Sequence, residues 1–222
     1  MKTLIIALVI LAAAAQSGYS QDVNWRTLQM DRPNRLQLNI GYDYAAVTQL
    51  SYSRAFDLSR PVVVGLHCSL PMGSQVVDDF VLRLGAQVEV ARWRGFSATF
   101  KAASNFRRYQ NDLVRMLSFG AEFSALIGYY DTDWHAAFEL GFDKAVATRL
   151  THSDVMKEYG YAGVRDGWYV PTGGNFSYGI QAGKTIGDYA EVTLRLGMTD
   201  AQFDDEDAML PYYLQLGFGM PF

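Results

Sequence analysis

The chain has 222 residues, one cysteine and a formal net charge of −4, with 50% hydrophobic residues. The weakly acidic balance argues against a nucleic-acid partner, and the lone Cys68 supports neither an intramolecular disulfide nor a thiolate metal site. Beyond residue 20 no stretch approaches the ~18 consecutive apolar residues of a membrane helix, so helical spans are excluded.

Residues 1–20 read as a secretory signal peptide: Lys2 supplies the positive start, 4–15 an apolar stretch, and Gly18 and Ser20 the small residues a signal peptidase needs. Cleavage is expected between Ser20 and Gln21, with Ala15 and Gln16 as the alternative, and no Cys nearby suggests a lipoprotein. About 200 residues then remain, enough for one domain, with a charge near −5 once Lys2 is gone. Residues 21–34 form a polar lead containing Trp25, expected in the periplasm and assigned no partner.

From residue 35 the pattern becomes alternation of period two, the signature of strands with one face in an apolar medium. In 35–44, Leu36, Leu38, Ile40, Tyr42 and Tyr44 oppose Gln37, Asn39, Gly41 and Asp43. Weaker strands follow at 47–56 and 62–70, a clear one at 79–91, then weaker ones at 96–105, 113–129, 134–148 and 175–186. The clearest is 189–199, where Ala190, Val192, Leu194, Leu196 and Met198 oppose Glu191, Thr193, Arg195 and Gly197. With 212–222 the count is ten, and the fold class expected is all-β, an up-and-down transmembrane antiparallel barrel over 35–222.

Connection lengths give the barrel an orientation, because such barrels have tight periplasmic turns and longer outer loops. Short connections at 58–60, 93–95, 131–133 and 187–188 alternate with long ones at 71–78, 106–112, 150–174 and 200–211. The first hairpin, near Ala45 and Ala46, is the exception. An even strand number returns both termini to the periplasm. A soluble sandwich or lipocalin-like barrel would alternate too, but its bulky apolar face would point inward. Here Gly41, Gly65, Gly85, Gly120, Gly128, Gly141, Gly179, Gly183, Gly197, Gly217 and Gly219 all lie opposite the apolar stripe, as suits the crowded inside of a narrow membrane barrel. Tyr42, Tyr44, Tyr52, Phe56, Phe96, Tyr129, Trp134, Phe176, Tyr178 and Tyr212 are assigned to the outward face as interfacial aromatics, with Arg54, Arg115 and Lys144 snorkelling from strand ends.

The final strand resembles the C-terminal assembly signal of bacterial outer-membrane β-barrel proteins: Tyr212, Leu214, Leu216, Phe218 and Phe222 match its alternation and aromatic end, while Pro221 departs from it. That resemblance implies a Gram-negative, porin-like outer-membrane protein inserted by the barrel assembly machinery, with outer-membrane lipid as its surroundings. Gln21 after the expected cleavage site resembles exported proteins of the Bacteroidota.

The inward charges are Asp43, Arg83, Glu89, Lys101, Glu122, Glu139, Asp143, Glu191 and Arg195, with His67 and His135 near them. Read as ion pairs they fill the lumen of a structural or surface-interaction barrel, since a barrel this narrow has little interior to spare. Read as a wet lining with acids in excess, they make a narrow cation-preferring solute channel. If the turn at Arg94 sets the register, Gln87 faces Lys101 with Glu89 diagonal to it.

Asp78, Asp79, His152 and Asp154 form a weak catalytic candidate that is similar to the acid pair and Asp/His pair of omptin surface proteases, although the chain is shorter and no wider motif matches. The loop 151–174 carries Tyr159, Tyr161, Trp168 and Tyr169 among glycines. Such a loop suits a contact surface for an extracellular glycan or protein, a lid over the mouth, or a loop packed on itself. His67, His135 and His152 lack metal-ligand spacing, so no metal or cofactor is expected.

Overall fold

The computed structural model describes residues 23–73, 76–160, 163–170, 173–187, 190–203 and 210–222. The expected signal peptide and both its cleavage points lie outside them. Ten long strands close into a barrel: β1 (Asn34–Tyr42), β2 (Ala46–Phe56), β3 (Val62–Pro71), β4 (Asp79–Trp93), β5 (Phe96–Gln110), β6 (Val114–Tyr130), β7 (Trp134–His152), β9 (Asn175–Ile186), β10 (Ala190–Ala201) and β11 (Tyr212–Pro221). Between β7 and β9 stand the short helix α1 (Asp154–Tyr159) and the three-residue strand β8 (Gly167–Tyr169).

Each strand pairs antiparallel with its neighbour, and β1 pairs with β11 from Arg35 opposite Pro221 to Tyr42 opposite Leu214. The seam is completed by reciprocal backbone hydrogen bonds between Asn34 and Phe222, at 3.2 and 2.8 Å. No long strand is left with an unpaired edge, which satisfies the backbone ladder without a soluble core. The outer face is a continuous apolar belt: Leu36, Leu38, Ile40, Leu50, Leu66, Leu84, Phe100, Phe123, Ile127, Phe138, Leu194 and Leu216 are all exposed.

Two residues build the sharpest turn. Arg94 (φ 47°) and Gly95 (φ 92°) join β4 to β5, the left-handed pair that a two-residue hairpin needs. That turn alone would set Gln87 opposite Ala102; a β-bulge between Glu89 and Ala91 shifts the register by one, so Gln87 faces Lys101. The connection expected at 106–112 is shorter than the alternation suggested, because β5 runs on to Gln110 and β6 starts at Val114. Asn111 closes that turn with its side-chain oxygen, which accepts from the backbone N–H of Leu113 (2.9 Å) and Val114 (2.8 Å). The outward residue there is Arg108, and the apolar stripe stops before the ladder does.

β7 outruns β9, whose pairing with it ends at Asp143 opposite Asn175. β8 folds back to cover the exposed upper edge, pairing Thr148, Arg149 and Leu150 with Tyr169, Trp168 and Gly167. Tyr44 is the one expected outward aromatic that turns in: it sits in the 43–45 turn, where strand parity lapses, and is 3% exposed.

Candidate functional site

Asp43, Arg83, Glu89, Lys101, Glu122, Glu139, Asp143, Glu191 and Arg195 all lie on inward positions and are all buried, as are His67 and His135. Two further arginines point inward: Arg107, buried beyond the expected end of its strand, and Arg35, half-buried at the start of β1. With these the inward acids no longer outnumber the bases two to one.

The waist is crossed by two ion-pair groups. Arg195 on β10 reaches past β9 to Glu139 on β7, donating from Nε at 2.7 Å, and its guanidinium lies 4.0 Å from the ring centre of Tyr213 on β11. Arg83 on β4 reaches past β5 to Glu122 on β6 (3.0 Å), donates to Ser69 Oγ (3.0 Å) and meets Asp43 at 3.5 Å. Asn105 donates to the same Glu122 oxygen at 2.8 Å. Beside them Gln37 donates to Asn39 (3.0 Å) and Asn39 to Gln49 (2.9 Å), a rung of amides across β1 and β2. The inward glycines make the room: a Cβ on Gly179 or Gly197 would stand 2.3 Å from Tyr213 Oη and 2.3 Å from a backbone carbonyl of the neighbouring strand.

Toward the long loops, Arg107 grips Asp79 bidentately at 2.8 and 2.9 Å and lies 4.6 Å from the Tyr44 ring centre. Near the opposite end, Glu191 bridges Arg35 and His135 Nδ1, the latter at 3.1 Å, and His135 stacks on Tyr130. Glu89 pairs with Arg92 and accepts from Ser97 Oγ, both at 2.5 Å.

The lead from Val23 to Leu28 folds into the mouth at the end that carries the termini. Trp25 donates its indole N–H to Thr99 Oγ1 on the β5 wall at 2.8 Å, and with Val23 and Leu28 packs against Ala55, Val63, Leu126, Tyr130 and Ala137. Asn24 donates to Asp131 O (2.8 Å) and Arg26 to Tyr130 O (3.3 Å). The hint in the sequence is Val23, Trp25, Leu28 and Met30 standing apolar among the polar residues of the segment. Under the lead lies a cavity of about 270 Å³ lined in part by Arg26, Arg32, Arg35, Asp133 and Glu191.

The residues offered as catalytic each have partners of their own. Asp79 is gripped by Arg107 and Asp78 lies 3.8 Å from Arg108. His152 Nδ1 meets Asp166 (3.1 Å), whereas Asp154 sits in the first turn of α1. Asp166 also accepts from the His152 backbone N–H and pairs with Lys157 at 2.8 Å. The Lys157 hydrogen bond first, and that backbone N–H second, hold the Asp166 carboxyl well below the usual carboxylate range.

The four loop aromatics also part company. Tyr159 is exposed at the end of α1, Tyr169 packs on the Met116 and Leu150 cluster, and Trp168 lies on the outer wall against Phe119. Tyr161 lies outside the described residues. Of the assembly-signal residues, Tyr212, Leu214, Leu216 and Phe218 face outward along β11, and Phe222 ends the chain beside Asn34.

No family model matches the chain, and no curated protein matches its sequence. Among solved structures it is similar to the COG4313 outer membrane channel from Pseudomonas putida F1, at 9% identity over 92% of this chain and 100% of that one, with a TM-score of 0.50. It is also similar to the KdgM porin in complex with disordered oligogalacturonate, at 10% identity over 85% of this chain and 99% of that one, with a TM-score of 0.41. At 9% identity the likeness to the first is one of fold alone: a closed, ten-stranded antiparallel barrel.

Proposed function

We propose that this chain is an integral outer-membrane barrel of structural or surface-interaction type, with its bore held shut by its own ion pairs and both termini in the periplasm. One observation carries this reading: Arg83, Arg107 and Arg195 project into the bore with at most 1% exposure, each held by a carboxylate from another strand. An ion crossing that waist would have to displace a guanidinium from its carboxylate, which costs several kcal/mol for a buried pair. The apolar belt supplies the membrane-facing surface, with lipid as its solvent and the barrel assembly machinery as its route in. Tyr159 and Val170 leave the 151–174 segment a surface for an extracellular glycan or protein. Reconstitution into planar bilayers tests the reading: no steps above the lipid baseline are expected, and reproducible cation-selective steps would overturn it.

The second reading, a narrow cation-preferring solute channel, is favoured by the inward polar atoms that find no protein partner. Asp43 Oδ1, Gln49 Nε2, Ser51 Oγ, Glu122 Oε2 and Ser124 Oγ are all buried without one, and a cavity of about 40 Å³ touches Glu122, Arg83 and Lys101. Such groups call for water, and a file of water is the start of a path. The same bilayer recording decides between the two.

A further inference from the structure

The outward charges at the loop end of the wall are unevenly placed. On the membrane-facing side of β1, β3, β4 and β11 every outward residue within the strand is uncharged. β10 ends in Asp200. The neighbouring strands β5, β6 and β7 instead carry Arg108, Arg115 and Arg149 on that side, all near their loop ends.

The register puts these arginines together. One cross-strand row reads Phe80, Arg108, Leu117, Arg149 and Trp168, each directly opposite the next. Arg115 stands one outward position above Leu117 on β6, opposite Gln110 and Thr151, so it falls between Arg108 and Arg149. Neighbouring strands lie about 4.8 Å apart, which brings three guanidinium groups on long side chains within reach of one headgroup. From the two ends of this row an aromatic ridge dips beneath it: Phe80 against Phe106 (6.0 Å between ring centres), Phe106 against Phe119 (5.1 Å) and Phe119 against Trp168 (6.1 Å). Trp168 and Phe119 are 59% and 45% exposed.

Protein partners account for only one of the three cations. Arg108 donates to Val77 O and Gln110 Oε1 and lies 3.8 Å from Asp78. Arg115 and Arg149 are exposed and have no hydrogen bond or ion pair among the described residues. Guanidinium forks suit phosphate oxygens, and flat aromatic faces beneath them suit acyl chains.

We propose that the outer wall of β5 to β8 is a docking site for a net-anionic membrane lipid with phosphomonoester headgroups, of the lipid A kind. Arg115 and Arg149 bind the headgroup, Arg108 flanks it, and the acyl chains lie along the ridge from Phe106 to Trp168. This inference rests on the reading of the chain as a membrane-spanning barrel.

The test uses the full chain refolded in zwitterionic detergent, with barrel formation scored first by circular dichroism and by retarded migration of the unheated protein on gels. Native mass spectrometry then follows titration with lipid A, with phosphatidylcholine and with inorganic phosphate. Expected are lipid A adducts that survive mild activation, weak phosphatidylcholine adducts and no effect of millimolar phosphate. Arg115→Gln with Arg149→Gln should lower the affinity for lipid A by at least tenfold, whereas Arg54→Gln, on the wall at the termini end, should leave it unchanged. Equal retention of the two lipids, equal loss with Arg54→Gln, or competition by free phosphate would overturn the site. A chain that forms no barrel in detergent would overturn the membrane reading beneath it, and circular dichroism tells the two failures apart.

Discussion

In the function proposed above the bore is closed twice, and by different means. At the waist the closing groups belong to the wall: Arg195 and Glu139, or Arg83 and Glu122, are held by strands two apart, so neither pair opens unless the ladder moves. At the termini end the closing group is a separate segment, docked through one indole hydrogen bond, a small apolar cluster and a few backbone contacts. Closure that costs several kcal/mol per pair to undo is structural, whereas closure by a tethered segment can be released locally while the barrel stays whole.

The sharpest break in that comparison is Glu139→Gln. It leaves Arg195 buried without its carboxylate and should cost ~3–5 kcal/mol, read as a lower urea midpoint for protein folded in vesicles. Glu139→Gln combined with Arg195→Met removes both charges and should recover most of the loss. A double variant as unstable as the single one would mean the pair is not coupled. Next is Gly197→Ala, whose Cβ would meet Tyr213 and the Tyr178 carbonyl. It should cost ~1–3 kcal/mol in the same titration, as overpacking does.

Trp25→Ala should act differently. With Cys68→Ser removing the native thiol, Ala137→Cys places a reporter beneath the lead, and its modification by a water-soluble maleimide should be at least ~10-fold faster once Trp25 is gone, as expected of a locally released segment. The urea midpoint should move less than for Gly197→Ala. Slow labelling in both backgrounds would show that the mouth is sealed by the wall as well.

What was legible in the sequence follows the same division. The ten strands and the nine inward charges were readable because a wall between two solvents imposes period two on every residue it contains. Arg107 was missed because β5 continues past the apolar belt, where the outward Arg108 hides the alternation. Tyr44 was misassigned because the turn at 43–45 resets the parity. The lead escaped because inserting Trp25 depends on a cavity formed by β2, β3, β5, β6 and β7, and no local pattern encodes such a cavity. The split of the loop aromatics escaped for a similar reason: β8 exists because β7 outruns β9, a fact of register.

The smallest expected effect concerns the loop end, where Asp166 ties α1 back to β7 through Lys157 and His152. Because its carboxyl is held below the usual range in the folded protein, the tie contributes fully above the ordinary aspartate pKa and is lost as pH falls through the lower folded value. The loop should therefore stay docked at neutral and mildly acidic pH and loosen only below the usual carboxylate range. Asp166→Asn should abolish that dependence and make the 153–166 segment more sensitive to limited proteolysis at pH 7, with the urea midpoint of the barrel unchanged. A midpoint that shifts with Asp166→Asn would mean that the loop is part of the cooperative wall, and would place it with the waist and not with the releasable mouth.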